Sequence, residues 1–219
     1  IEAALQLKEK HGGRVIVITM GPPQAADALR AAIGMGADDA YLISDRAFAG
    51  SDTWATSYTL SQAIKKIGTF DLILCGKQAI DGDTAQVGPG IAEWLDIPQV
   101  TFAVKIAAEE GKLKIERLLE EVNEVVECPV PAVITVVKQI NEPRLPSLKG
   151  MMRAKKTEIK TLGADAIGAE PQNCGLKGSP TSVVSIFTPP PKGGGEILSG
   201  EAGEIVDKLI GKLKERKTI

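Results

Sequence analysis

The chain has 219 residues, 43% of them hydrophobic, with 26 basic against 28 acidic side chains and a formal charge of −2. That length supports one full core with an appended arm, and the near-balance of charge argues against a general nucleic-acid binder, whose grip on phosphate backbones needs a basic surplus. No apolar run reaches the roughly 20 residues that span a bilayer, so no membrane insertion is expected, and residues 1–10 lack the layout of a secretory signal.

Residues 1–11 set Ile1, Ala4, Leu5 and Leu7 at helical spacing ahead of Gly12 and Gly13, which predicts an amphipathic helix. Residues 14–19 read as a strand buried on both faces. Pro22 and Pro23 open the next helix, where the missing proline N–H costs nothing, and it continues through Ala25, Leu29, Ala32 and Ile33 to Gly34. A short strand at 40–43, a helix at 55–67, a strand at 70–75 and a helix at 86–95 follow. Continuous apolar strands between helices predict an α/β fold with a doubly wound, mostly parallel, Rossmann-like sheet. Because the pattern opens on a helix, a strand carrying a first ligand turn is expected ahead of residue 1.

After Pro98 the rhythm changes. Residues 100–106 and 112–126 carry period-two stretches and predict an added antiparallel hairpin. Residues 131–137 form one more strand, entered through Pro129 and Pro131. Pro143 and Pro146 then precede a helix over 148–156 that carries Arg153, Lys155 and Lys156. The proline- and glycine-rich stretch 175–195 predicts an extended arm. A closing helix over 201–217 bears Ile205, Leu209, Ile210 and Leu213 on one side, a face suited to a partner subunit. The organisation expected is an α/β nucleotide-binding domain over 1–172 and an arm plus helix over 173–219.

Cys75, Cys128 and Cys174 are odd in number and lack CxxC spacing, so neither a disulfide framework nor a zinc site is expected and a reducing cytoplasm is the natural setting. His11 is the single histidine, at a helix end where a cationic side chain is favourable. Chemistry of the Ser-His-Asp or histidine-ligand kind therefore has no material, and no metal site or acid–base dyad is visible.

The most telling stretch runs Cys-Gly-Lys-Gln-Ala-Ile-Asp-Gly-Asp-Thr-Ala-Gln-Val-Gly-Pro over residues 75–89. A buried strand enters a glycine-punctuated polar turn that leads into a helix. Ligands of open α/β sheets sit at the carboxyl ends of strands, and a helix start there offers N–H groups to an anion. Backbone N–H groups near Thr84, Gln86 and Val87 would meet phosphate, Asp81 or Asp83 would accept from ribose hydroxyls, and Gly82 and Gly88 would let the backbone approach. A plain turn with Asp81 or Asp83 as a local cap is the competing reading. Two further turns lie on the same edge: Met20 and Gly21, and residues 49–57. In the second, Ser51 or Asp52 serves as a cap, while Thr53, Thr56 and Ser57 exceed what capping needs. The cluster Arg153, Lys155 and Lys156 is either a solvated face or, with Leu145, Leu148, Met151 and Met152 beside it, an adaptable docking surface.

Taken with Met-Gly-Pro at 20–22, Gly-Met-Gly-Ala-Asp at 34–38 and Met-Arg-Ala-Lys-Lys at 152–156, the 75–89 segment resembles the beta subunit of electron transfer flavoproteins, over essentially the whole chain. The resemblance implies a heterodimer with an alpha subunit that holds an electron-transferring FAD. It also implies a nucleotide in this subunit, either FAD or structural AMP, touching Met20, Gly21, Gly76, Lys77, Gln78, Asp81, Gly82, Asp83, Thr84, Ala85, Gln86 and Val87. The turn at 50–57 looks like that of electron-bifurcating members, which implies FAD, with Asp52, Thr53 and Thr56 against its isoalloxazine or phosphates. In such members NADH reduces the flavin, and electrons pass to ferredoxin and, through the alpha subunit, to an acyl-CoA dehydrogenase. Leu148, Met151, Met152, Arg153, Lys155 and Lys156 fall on the family's partner-recognition segment, with Lys149 where many relatives have proline. The alternatives are a plain electron shuttle with AMP and, from another class, a non-redox adenine-nucleotide-binding module.

Overall fold

The computed structural model describes residues 1–80, 82–109, 111–190 and 193–218. They divide into two compact units, Ile1–Ser182 and Val183–Ile219. The first opens with α1 (Glu2–His11), β1 (Ile16–Met20), α2 (Ala26–Met35), β2 (Asp39–Ile43), α3 (Thr53–Ile67), β3 (Leu72–Gly76) and α4 (Val87–Leu95). It continues with β4 (Gln99–Glu109), β5 (Lys112–Leu118), β6 (Asn123–Pro129), β7 (Ala132–Val136), α5 (Leu148–Lys156), β8 (Lys160–Leu162), α6 (Ala164–Ile167) and α7 (Gly175–Gly178).

Local chemistry accounts for many of these boundaries. The β-branched run Ile16-Val-Ile-Thr suits a pleated, packed surface. Pro23 starts a single 3₁₀ turn that feeds α2, and Asp52 caps α3 by accepting from the Trp54 and Ala55 N–H groups. Two hydrogen-bonded sheets result, in the orders β1-β2-β8 and β3-β7-β4-β5-β6. The first is parallel throughout, with Ile16 opposite Asp39 and Met20 opposite Ile43. In the second, β3, β7 and β4 run parallel and β4, β5 and β6 antiparallel.

Helices cover both faces of β1, as the apolar periodicity predicts. Val17 packs with Leu5 of α1 and Leu29 and Ile33 of α2. Its neighbour Ile18 packs with Ile64 of α3 and Ile91 of α4, alongside Ile73 of β3 and Val133 of β7. Successive strand residues point to opposite sides, so α1 and α2 lie on one side of β1 and α3 and α4 on the other.

The antiparallel addition extends beyond the expected hairpin into three strands. The segment 112–126 is broken by Glu120 and Glu121, where the Leu119 N–H donates to the Val122 carbonyl at 3.0 Å and turns the chain. The short strand β8 was invisible to periodicity because three residues carry too little pattern. Residues 175–178, expected as open arm, form the helical turn α7, and Cys174 before it is buried.

α5 is fastened to α2 and the turn after it by several bonds. The Arg30 guanidinium donates to the carbonyls of Ala154 and Thr157, each at 3.3 Å, and Arg153 donates to the Ala37 carbonyl. Gly150 lies so close to α2 that a Cβ there would stand 2.1 Å from the Gly34 carbonyl oxygen. The loop before α5 is held by Arg144, whose Nε and Nη2 donate to the two oxygens of buried Glu2 at 2.8 and 2.9 Å, and whose Nη2 reaches Glu9 at 3.0 Å.

The second unit consists of irregular chain and α8 (Ala202–Glu215), with Lys212 paired to Glu196 at 2.6 Å. Val183, Val184, Ile186, Phe187 and Ile197 are all exposed, and no residue of α8 is buried. Among the described residues no helix is long and apolar enough to cross a membrane.

The Arg144 hydrogen bonds outweigh burial and push the Glu2 carboxyl down from its ordinary 4.5 to about 2. A depressed carboxylate contributes stability above its unfolded value and loses it as pH falls toward the folded one. Urea denaturation of the wild type and Arg144→Met should therefore show a stability gap at pH 7 that narrows between pH 4.5 and about 2. A gap independent of pH would contradict this account.

Candidate functional site

Three loops leave the carboxyl ends of β1, β2 and β3 and enter helical segments, and hydrogen bonds tie them together. The Gly21 N–H donates to the Ile43 carbonyl at the end of β2, at 3.1 Å. Thr53 Oγ1, at the start of α3, donates to Gln86 Oε1 at 2.9 Å. The expected juxtaposition of the 50–57 turn with the 76–87 loop is thus present in the geometry. Met20 is half-buried beside the cluster that holds Ile43, Phe48 and Tyr58.

The loop after β3 has an unusual backbone. Asp83 and Ala85 both have positive φ, at 50° and 56°, on either side of Thr84. Left-handed residues in a turn are an ingredient of the backbone concavities that bind anions. The Asp83 N–H donates to the Ala79 carbonyl at 3.0 Å, and the Gln78 amide donates to Asp83 Oδ1. The Lys77 N–H prolongs the ladder to β7 by donating to the Val136 carbonyl at 2.9 Å. α4 then begins at Val87 with no side-chain cap. Asp81 lies outside the described residues.

Glycine positions separate packing from access. A Cβ on Gly88 would stand 2.5 Å from Thr135 Cγ2, so packing of α4 on β7 demands glycine there. At Gly76 and Gly82, apart from their own chain neighbours, no atom of the described residues lies within 4 Å of the place a Cβ would take, so internal packing does not explain them. Room beside Gly76 and Gly82, next to an uncapped helix start, is what a phosphate-bearing nucleotide needs, and in this respect the residues fit such a group.

Asp52 is fully engaged. Its Oδ1 accepts from the N–H groups of Trp54 and Ala55 at 3.0 and 3.1 Å. Its Oδ2 accepts from Thr181 N and Oγ1 at 3.0 and 2.9 Å. Burial opposes its ionisation, but these donors outweigh burial and hold the carboxyl below its ordinary value. Four donors occupy the four lone-pair positions of a carboxylate, so Asp52 fixes the start of α3 and the 179–181 segment. Thr56 is half-buried one turn into the helix. Cys75, at the end of β3, has its thiol pushed up to about 11 by burial, which leaves it protonated and inert.

One further residue at this edge belongs to none of the sequence motifs. Phe102 sits in a bulge of β4, where the register against β7 shifts between Val100 and Ala103, and it has φ of 63°. Its ring lies under the Lys77 ammonium, 5.3 Å from Nζ to the ring centroid. The residue types of residues 100–106 carry no mark of a bulge.

On the docking candidate, Leu148, Met151 and Met152 of α5 are exposed at 73%, 46% and 55% while Ala154 is buried at 7%. Ser147 caps the helix by accepting from the Gly150 N–H at 3.0 Å. Lys155 and Lys156 face solvent, whereas Arg153 is occupied with the Ala37 carbonyl. Among the described residues no group of three or more His, Cys, Asp or Glu side chains is placed to hold a metal ion.

A parallel sheet and a mixed one, with polar loops at the carboxyl ends of β1, β2 and β3, define a mixed α/β protein of the open-sheet kind. The family model described as "Electron transfer flavoprotein domain" matches residues 1–167. Electron transfer flavoprotein subunit beta of Thermoanaerobacterium thermosaccharolyticum is 51% identical over 100% of this chain and 84% of its own length. Caffeyl-CoA reductase-Etf complex subunit CarD of Acetobacterium woodii is 49% identical over 100% of this chain and 84% of its own. Acryloyl-CoA reductase electron transfer subunit gamma of Anaerotignum propionicum is 46% identical, covering 100% and 85%. The chain belongs to the electron transfer flavoprotein family, among its beta subunits.

Asp52→Ala removes a helix cap and the tie to Thr181 together, so it should destabilise the chain by about 1–2 kcal/mol in urea denaturation. A loss below a few tenths would mean that the four hydrogen bonds contribute nothing net.

Proposed function

We propose that this chain binds FAD between the 50–57 turn and the 76–87 loop, as the beta subunit of an electron-bifurcating heterodimer. The observation that carries the reading is the Thr53–Gln86 hydrogen bond beside the left-handed pair Asp83 and Ala85. It joins a hydroxyl-bearing helix start to the loop assigned to the phosphates. The similarity to proteins named as subunits of caffeyl-CoA and acryloyl-CoA reductase complexes supports the same reading.

In this reading, backbone N–H groups of residues 84–87 hold the phosphates, and Gly76 and Gly82 admit the ligand without a steric conflict. Lys77 supplies positive charge at the loop mouth, while Met20 and Gly21 line the neighbouring turn. Thr53 and Thr56 offer hydroxyls toward the ring system, and Asp52 keeps that helix start in place. The bound FAD would supply two-electron acceptance from NADH and release of single electrons toward ferredoxin and the alpha-subunit flavin. The exposed apolar chain at 183–187 and the open face of α8 are assigned to the alpha subunit, since exposed apolar side chains in such number call for a cover. α5 presents Leu148, Met151 and Met152, flanked by Lys149, Lys155 and Lys156, to an acyl-CoA dehydrogenase-type flavoenzyme with an acidic docking surface. Cys75, Cys128 and Cys174 are free thiols, which suits a reducing cytoplasm.

Reconstitution of the heterodimer with its alpha subunit tests the cofactor. Acid release and chromatography should yield two FAD per heterodimer, and anaerobic NADH should bleach the flavin absorbance. One FAD with one AMP, and no bleaching, would replace this reading with an AMP-bearing shuttle.

The docking assignment has its own test. Leu148→Ala should slow electron transfer to the dehydrogenase at least tenfold, by loss of roughly 1.5–3 kcal/mol of buried side chain, and leave the flavin content unchanged. Unaltered transfer kinetics would remove Leu148 from the interface.

A further inference from the structure

We infer that Phe102 is a positioning residue for the nucleotide site, its ring holding the Lys77 ammonium at the mouth of the 76–87 loop for the ligand's phosphates. The inference rests on the nucleotide reading above.

A bulky side chain at positive φ is a backbone outlier, and outliers of this kind persist only where the surroundings fix them. Here they do. The Phe102 N–H is turned out of the β4–β7 ladder and donates to Thr135 Oγ1 at 3.1 Å. Thr135 is itself 1% exposed and packed beneath Gly88, so the bulge cannot relax without disturbing α4.

Core packing does not explain the ring. Among the described residues, Phe102 joins none of the four buried apolar clusters, and it remains half-exposed. What the ring does contact is Lys77, the first residue beyond β3, whose own backbone is fixed by the bond to Val136. A lysine side chain otherwise samples many rotamers. The negative face of an aromatic ring attracts the ammonium and narrows that range. The strained bulge thus delivers a ring where the loop's cation needs a seat, on the same sheet edge as the left-handed pair Asp83 and Ala85.

The test uses the intact heterodimer freed of nucleotide, with ADP and adenosine as titrants in calorimetry. Phe102→Leu should weaken ADP about two- to fivefold, the measure of one exposed cation–π contact, and leave adenosine unchanged. Phe102→Trp should restore ADP binding. In a Lys77→Met background the Phe-to-Leu difference should vanish, as a double-mutant cycle requires. Phe102→Gly, relieved of left-handed strain, should show the same ADP loss in a chain that melts no lower than wild type. Equal losses for ADP and adenosine would make Phe102 a base-stacking surface and overturn the inference, as would unchanged ADP binding in Phe102→Leu. A wild type that binds no ADP would instead remove the nucleotide reading, and this inference with it.

Discussion

How closely α4 approaches the sheet is set at one buried side chain, Thr135. Its methyl group occupies the space that a Cβ at Gly88 would need, 2.5 Å away, and its hydroxyl accepts from the Phe102 N–H. One threonine therefore fixes the start of α4 and the bulge of β4 together. Valine would fill the same volume and leave the Phe102 donor without its acceptor, at a cost of about 1–3 kcal/mol. The loop between β3 and α4 is held at this helix start and, at its other end, by the Lys77 N–H on the Val136 carbonyl, so its shape can depart from ordinary backbone preference.

The same close approach continues between helices. A Cβ at Gly90 would stand 2.4 Å from Ser57 Oγ, and that hydroxyl lies 2.6 Å from the Thr53 carbonyl and 3.2 Å from the Val87 carbonyl. α3 and α4 are thus in contact at their first turns, which puts Thr53 within reach of Gln86. Positions Gly88 and Gly90 act through packing, and Gly76 and Gly82 through access. The segment 76–90 looks uniformly glycine-rich as text, but it holds glycines of two physical kinds.

This distinction shows how far the sequence could be read. The parallel α/β pattern was legible because β1, β3 and β7 are near-continuous apolar runs, and helices such as α2 and α5 carry clear stop or cap residues. The three strand-end turns were legible because glycine, hydroxyl and acidic residues concentrate there. What could not be read depends on contacts distant in sequence. Asp52 was legible as a cap of α3, but only the fold brings Thr181 to its second oxygen. Arg153 looked like part of a solvated basic cluster, and only the α2–α5 contact engages it with the Ala37 carbonyl. Phe102 gave no signal, since any strand residue can bulge when a buried hydroxyl captures its N–H.

Backbone strain supplies an argument for the site that is independent of composition. Among the described residues, five non-glycine positions have positive φ: Asp83, Ala85, Asp96, Phe102 and Lys217. Asp96 is the left-handed cap of α4, and Lys217 lies just beyond the end of α8, so helix endings account for both. The other three terminate no helix, and all lie at the carboxyl edge of the sheet formed by β3, β7 and β4. Aspartate tolerates this conformation better than most residues, which leaves Ala85 and Phe102 as the costly pair, at about 1–3 kcal/mol each. Against a typical domain stability of about 5–15 kcal/mol, strain of that size at one edge is offset by packing elsewhere, above all by the buried contacts around Thr135. Glycine at 85 or 102 would remove the strain without loss of core volume. Its retention at the edge where three polar loops meet is what a built binding surface predicts, and what a purely structural turn does not.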